Sequence, residues 1–422
     1  MNPGRPSLAY TYYVLGILSV ISILNYYDRN VISIILQPVK KDLRLSDTQI
    51  GLLTGLAFAV VYSVLGVPIA RFADRGHRVK VLSAAVAVWS VMTAACGFAT
   101  GFATMFAARM GVGIVEAGGL PSTHALAADY FPPERRSSAL STIAVAAGIG
   151  GFLGLAVGGP VSDHFGWRAA FWVGGAPGLL SALIAVATVR EPTRRTGAAP
   201  AAPTVPLGAA LRMLARRRSY IFVTLGLTVS SIGAYAHQTW MPTYFIRSFG
   251  LTPGQIGPLF SILTSVPTIV GMLFGGVIVD RWTSKDRRAP VWILIVTLGA
   301  GIPLSLIVLL THDLTMALGA SFLGALIGSA WVGPNYALVQ GLAGPKTRAA
   351  ATAIYMMIVN IVGLSLRPVV AGFVSDRLAR IAGQESLRWA LCAMLIPIAV
   401  SLPLFYAAAR TLQADLDDAE RA

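Results

Sequence analysis

"SVISILNYYDRNVISIILQPV", residues 19–39, is an apolar run with Asp28 and Arg29 side by side near its middle. A run of this length reads as a helix crossing a bilayer, since about 20 residues at ~1.5 Å each cover ~30 Å of hydrocarbon. Each formal charge at such a helix centre costs about 2.5–3.5 kcal/mol on insertion scales, so two adjacent ones need a reason. The pattern repeats along the chain. Of its 422 residues, 55% are hydrophobic and 12% charged, against about 25% charged in soluble proteins. The apolar residues fall into twelve blocks, near 11–36, 47–70, 80–100, 102–128, 138–160, 167–189, 219–247, 255–279, 289–311, 314–341, 349–374 and 387–410. The expected product is an all-α integral membrane protein with twelve transmembrane helices. The first block is too long for a cleavable leader and no small-residue cleavage site follows it, so it is expected to stay as an anchor.

Orientation follows from the basic residues. With a cytoplasmic N-terminus, about 22 of the 33 Lys and Arg lie in cytoplasmic segments and about 8 outside, while Arg29, Arg109 and Arg367 fall within blocks. That is the positive-inside bias. The net charge of +15 is thereby accounted for by topology and anionic headgroups, and no nucleic-acid partner is implied. Both termini are expected in the cytoplasm, the membrane being a bacterial-type inner (plasma) membrane and the protein a monomer. Cys96 and Cys392 lie in apolar blocks, which suggests neither a disulfide framework nor a metal site. No cofactor is expected, and no Gly-x4-Gly-Lys-Ser/Thr loop for nucleotide phosphates occurs.

The break at 190–218 divides the chain into six blocks and six. Its first part is rich in Pro and Ala and reads as a linker. In its second part Leu207, Ala210, Leu211 and Leu214 share a helical face, with Arg at 212, 216, 217 and 218, which predicts a basic amphipathic helix on the membrane surface. The expected organisation is a first half over 1–189, a linker over 190–218, a second half over 219–411 and a cytoplasmic tail over 412–422. The halves echo each other. "GVPIARFADRGHRVK" (66–80) is matched by "GGVIVDRWTSKDRR" (275–288), and "GLAVGGPVSD" (154–163) by "GLSLRPVVAGFVSD" (363–376). Parallel repeats of this kind mark a transporter whose site lies near the midplane, where the halves meet.

Asp74-Arg75-Gly76, followed by Arg78 and Lys80, resembles the loop signature of the major facilitator superfamily, and Gly159-Pro160 resembles its fifth-helix hinge. "NYYDR" and "RMGVGIVEAGGLPSTHALAADYFPPERRSSAL" resemble the spinster-like branch, whose members are linked to lysolipid and sphingolipid transport. The resemblance implies a major facilitator fold of two pseudo-symmetric six-helix halves. It also implies a cytoplasmic latch at Gly66, Asp74, Arg75, Gly76 and Arg78, echoed by Asp280 and Arg281. The hinge at Gly159 and Pro160 is echoed by Arg367 and Pro368, where the repeat predicts Gly in place of Arg. Such an Arg would wedge the helices or need a wet pocket.

Asp28 and Glu116 are the two acids well inside blocks. Arg109 and Glu116 are seven residues apart, within about 20° of one helix face and ~10 Å along it. A third group is needed between them, and Asp28 from the first helix can supply it. Arg29 points ~100° away from Asp28 and is expected to be a separate charge that meets a substrate headgroup. Burial disfavours a charged carboxylate and a nearby guanidinium favours it. A site that opens to alternate sides changes both terms, so the group can load and release a proton. The spinster-like resemblance gives this role to Asp28, Arg109 and Glu116. The competing reading is a fixed ion pair that glues the first and fourth helices. His124 and Asp129 match a His-x4-Asp acyltransferase spacing, but no acceptor-binding motif accompanies them and no catalytic residue is assigned.

The second half supplies "YAHQTW" (235–240), "WVGPNY" (331–336) and Asn360. An amphipathic ligand needs such a mixture, so Tyr26, Tyr27, His237, Gln238, Trp240, Trp331, Asn335 and Asn360 join Arg29 as candidate substrate contacts. Helix–helix hydrogen bonding is the alternative for each. The expectation is a proton-coupled transporter working by alternating access, with a lysophospholipid or sphingoid-type lipid as cargo. A broad drug or organic-ion exporter and a membrane-embedded lipid-modifying enzyme are the alternatives.

Overall fold

The computed structural model describes residues 7–57, 77–192, 207–344 and 347–421, and excludes the side chains of Asn360 and Arg367. Every regular element among them is helical. The first helix, α1 (Leu8–Leu43), starts where the Ser7 side chain accepts from the Tyr10 N–H and stops at Arg44, in the left-handed region at φ 51°. Its 36 residues span about 54 Å, well beyond the ~30 Å of hydrocarbon. The excess turn is polar and tied down, with Arg168 2.6 Å from Asp42 and Lys40 2.5 Å from Asp47. A Ser46–Gln49 capping box then opens α2 (Asp47–Thr54).

The chain forms two compact units. Unit 1 holds residues 1–198 and 250–261, and unit 2 holds 199–249 and 262–422. The stretch 250–261 therefore belongs to the first unit, although most of it lies within the eighth apolar block, expected in the second half.

In unit 1, α3 (Arg78–Cys96), α4 (Phe102–Tyr130), α5 (Pro133–Phe165) and α6 (Trp167–Thr188) follow. The most extensive packing is α1 on α5, followed by α3 on α6 and on α4, and α1 on α6. A row of small residues makes the first of these possible. A Cβ placed on Gly150 would lie 2.2 Å from the Ile23 carbonyl oxygen, and one on Gly154 2.9 Å from that of Tyr27. Backbones meet here without intervening side chains, which gives van der Waals contact that lipid cannot match.

Unit 2 begins with α7 (Leu207–Leu214) and continues with α8 (Arg218–Phe249) and α9 (Pro253–Thr283), whose first residues belong to unit 1. Then come α10 (Ala289–Leu310), α11 (Leu314–Gly328), α12 (Val332–Ala343), α13 (Arg348–Ala382), α14 (Ser386–Ala393) and α15 (Leu395–Arg421). Here α8 packs on α15 and α13, and α10 on α11 and α15. These pairings repeat those of α1 with α6 and α5, and of α3 with α4 and α6. The tenth block, expected to be continuous, is broken between α11 and α12 at Ser329–Trp331. Pro334, in the first turn of α12, has no N–H to extend the preceding helix.

Nine described helical stretches are long and apolar enough to cross a membrane. The second block lies mostly outside the described residues. The fourth, α4, carries Arg109, Glu116 and Asp129 and is less apolar, while the last two blocks run together into one helical region. Large apolar side chains face outward on both units, among them Phe98, Leu183, Leu273 and Ile396 at 63–71% exposure. In water that surface would be costly; in lipid it is the expected exterior.

Two features at the ends were not read from the sequence. Arg217, named with the basic residues of the linker helix, is 4% exposed and donates to the Leu342 carbonyl. Helix α7 ends at Leu214, so the ideal 100° register does not carry through to Arg217. The segment expected as a tail beyond 411 is the last part of α15. There Asp415 accepts from the Ser219 N–H at 2.6 Å, and Asp417 and Glu420 hold Arg287.

Candidate functional site

Apart from Asp47, which lies beyond the end of α1 and pairs with Lys40, the charged residues described as buried in unit 1 come together in one cluster. Helix α1 brings Asp28 and Arg29, α4 brings Arg109 and Glu116, and α3 brings Thr93. Asp28, Arg109 and Glu116 are 1%, 3% and 0% exposed. Thr93 donates to Asp28 Oδ2 at 2.8 Å. The other oxygen, Oδ1, fits against α6 only because residue 174 is glycine, where a Cβ would sit 2.4 Å from it. Arg29 Nε donates to Glu116 Oε2 at 2.9 Å, and its guanidinium lies 5.3 Å from the Tyr26 ring centroid. Arg109 is within electrostatic reach of both carboxylates, and the two carboxylates are within reach of each other.

This differs from the expected arrangement, in which Asp28 bridged Arg109 and Glu116 while Arg29 stood apart. The ~100° between residues 28 and 29 does separate them, sending Asp28 toward α3 and α6 and Arg29 toward α4. Glu116 therefore takes Arg29 as its hydrogen-bonded partner, and Arg109 acts at longer range. Two acids face two guanidiniums, so the fully ionised cluster is neutral. Asp28 Oδ1, Glu116 Oε1, and Arg109 Nε and Nη1 are buried without a hydrogen-bond partner among the described residues. A buried polar atom without a partner is costly. In this cluster such atoms provide capacity for a proton or an anionic group.

Unit 2 holds a cavity of about 340 Å³ walled by α8, α10, α11, α12, α13 and α15, with no charged residue on its wall among the described residues. Trp331 and Val332, at the break between α11 and α12, are part of its lining. Asn335 Nδ2 donates to the Tyr355 hydroxyl at 2.8 Å, leaving Oδ1 buried and without a described partner. His237 Nδ1 lies 3.0 Å from the Gly233 carbonyl, which can only accept, so Nδ1 carries hydrogen and Nε2 is an unpartnered acceptor. The cavity thus offers two acceptors in apolar and aromatic surroundings, a site for a ligand's hydroxyl or N–H beside an apolar chain.

Of the residues singled out as substrate contacts, His237, Trp331 and Asn335 line this cavity. Trp240 does not; it is fully buried and its Nε1 donates to the Pro368 carbonyl. Tyr27 is likewise a packing residue, 5% exposed with its hydroxyl on the Ala170 carbonyl. An aromatic at helical spacing suits a core and a cavity equally, and only the packed face distinguishes them. Gln238 is exposed and off the cavity wall. The side chains of Asn360 and Arg367 lie outside the described residues.

Of the latch residues, Gly66, Asp74, Arg75 and Gly76 lie outside the described residues, while Asp280 and Arg281 are exposed. Arg78 pairs with Asp129, and Glu191 accepts from the Arg78 and Val79 N–H groups at 2.8 and 2.9 Å. That carboxylate caps the start of α3, where the helix dipole favours negative charge. At the hinge, a Cβ on Gly159 would lie 2.1 Å from the Pro253 carbonyl oxygen. Sequence reasoning missed Thr93, Gly174, Glu191 and the cavity residues Ser230, Ser231 and Tyr355. None carries a charge within an apolar run or belongs to a recognised motif.

A family model described as Major Facilitator Superfamily matches residues 18–368. An MFS-type efflux pump of Mycolicibacterium smegmatis is 32% identical over 379 residues, covering 89% of this chain and 87% of that protein. The human protein spinster homolog 1 is 27% identical, covering 90% of this chain and 75% of its own length. A crystal structure of a bacterial homolog of the human lysosomal transporter spinster superposes with a TM-score of 0.86. It is 28% identical and covers 97% of this chain and 99% of its own.

Proposed function

The chain belongs to the major facilitator superfamily, and from that premise we propose that it is a proton-coupled carrier of an amphipathic lipid. As a spinster-like multi-pass membrane protein it is a transporter of a small-molecule substrate, not an enzyme. The finer reading rests on one observation: the fully buried Glu116 is held by Arg29, with Asp28 and Arg109 beside it in a cluster of zero net charge. Adding a proton to either acid leaves one guanidinium in excess. That excess is what an anionic headgroup needs, so proton binding and headgroup binding become linked through the same charges.

The apolar chain and a hydroxyl or amine of the cargo suit the uncharged cavity of unit 2, where Asn335 Oδ1 and His237 Nε2 accept. A lysophospholipid or sphingoid phosphate carries all three features: an anion, a donor and a chain. Export is the favoured direction because a relative named as an efflux pump is 32% identical. The bias of basic residues supports cytoplasmic termini, and the reading puts the protein in an inner (plasma) membrane. It is expected to work as a monomer by alternating access, with its two six-helix halves, the 190–218 linker and the Gly159–Pro160 hinge in the roles that the family resemblance gives them.

Flux of a fluorescent lysophospholipid into proteoliposomes under an imposed pH gradient tests this reading. Flux should fall to the leak rate when a protonophore collapses the gradient, and cationic drugs should compete poorly. Equal flux with and without the gradient would refute coupling. Strong competition by unrelated cations would favour the drug-exporter alternative.

A further inference from the structure

Where α8 and α15 meet at the end of unit 2 that carries Arg217 and Arg287, a groove of about 510 Å³ is lined by Arg218, Ile221, Phe222, Ala407, Arg410 and Thr411. The register of the two helices is fixed there, since the Ser219 hydroxyl lies 2.7 Å from that of Thr411 and donates to the Ala408 carbonyl. The two arginines flank this anchor, one on each helix, and both are exposed. Exposed apolar side chains continue from the groove along the two helices, with Ile221 and Leu225 on α8 and Val400 on α15.

The neighbouring basic residues have partners: Arg217 is near Asp418, Arg287 holds Asp417 and Glu420, and Arg288 reaches Gln413. Among the described residues, Arg218 and Arg410 make no ion pair or hydrogen bond. Positive charge at a helix end is ordinary topogenic bias. Two unneutralised guanidiniums on separate helices, astride a cavity that continues into a lipid-facing apolar seam, are more specific than that. We propose that this groove binds one anionic phospholipid, its phosphate between Arg218 and Arg410 and its acyl chain along Ile221 and Leu225. Guanidinium forks match phosphate oxygens, and the apolar seam supplies the chain contact. The site is separate from the cargo cavity and does not depend on the transport reading.

Native mass spectrometry of the detergent-purified full chain, incubated with phosphatidylglycerol or phosphatidylcholine, tests the proposal. The parent should retain one phosphatidylglycerol, and the double variant Arg218→Gln/Arg410→Gln should bind it roughly thirtyfold more weakly, from about 1 kcal/mol per basic residue at 1.4 kcal/mol per tenfold. Binding of phosphatidylcholine should be weak and unchanged. Arg216→Gln, exposed and outside the groove, should bind as the parent does; an equal loss there would mean diffuse attraction and overturn the site. Ala407→Trp fills the groove without altering charge and should also lose the lipid, which covers the case in which the double variant does not fold. Displacement of the lipid by millimolar glycerol 3-phosphate would overturn the proposal in favour of a soluble-phosphate site.

Discussion

Replacing Arg29 by Met should destabilise the protein sharply, and adding Glu116→Gln should restore most of what was lost. The pair is 2.9 Å apart, with Glu116 fully buried and the Arg29 side chain 23% exposed. At an effective dielectric near 20, charges ~4 Å apart attract by about 4 kcal/mol, and removing one member of a buried pair costs about 3–5 kcal/mol. Arg109 acts on the same carboxylate, so Arg29→Met should fall at the lower end, about 3 kcal/mol. Glu116→Gln alone keeps an oxygen that accepts from Arg29 and should cost about 1–2 kcal/mol. The double variant leaves no uncompensated buried charge and should stay within about 2 kcal/mol of the parent. Reversible unfolding in mixed detergent–SDS micelles, followed by tryptophan fluorescence, gives the four free energies of the cycle. A coupling of at least about 2 kcal/mol is expected. Losses that add to within about 0.5 kcal/mol would show that the two side chains do not interact as described.

Other substitutions probe single links. Gly150→Val should abolish the close approach of α1 and α5 and reduce the yield of folded protein severalfold, whereas Gly148→Ala, which meets nothing within 4 Å, should be silent in fluorescence-detected size exclusion. Thr93→Val removes the donor to Asp28; the pH midpoint of transport should shift, and an unchanged midpoint would separate Asp28 from coupling. Arg217→Ala should cost about 1.5–3 kcal/mol in the same unfolding assay, having lost a buried charged donor, while Arg216→Ala should stay within about 0.5 kcal/mol. Asn335→Leu should weaken binding of a hydroxylated lysolipid about tenfold in a ligand-induced thermal shift, with little effect on its deoxy analogue, because only the former uses the Oδ1 acceptor.

The apolar blocks made the helices legible, and Asp28, Arg109 and Glu116 stood out because charge in hydrocarbon demands a partner. Which partner each would take was not legible. Helical periodicity gives a residue's direction about its own axis, but the neighbour in that direction depends on the rotation of the other helix, and so Arg29 reached Glu116 first. Gly174 carries no sequence signal at all; its importance is the missing Cβ beside Asp28. The same limit explains Trp240 and Tyr27, whose ring sizes suit a ligand wall but whose N–H and O–H groups end on backbone carbonyls. Arg217 could not be told from Arg216 and Arg218 by composition, because helix α7 stops between Leu214 and Arg218.

Proton counting during transport tests the central claim most directly. Proteoliposomes loaded with a pH-sensitive dye should show proton movement that begins with lysophospholipid addition in the parent, and substrate exchange without net proton movement in Glu116→Gln and Asp28→Asn. Substrate-linked proton movement of parental size in both variants would contradict the account and leave the buried cluster as a structural tie between α1 and α4.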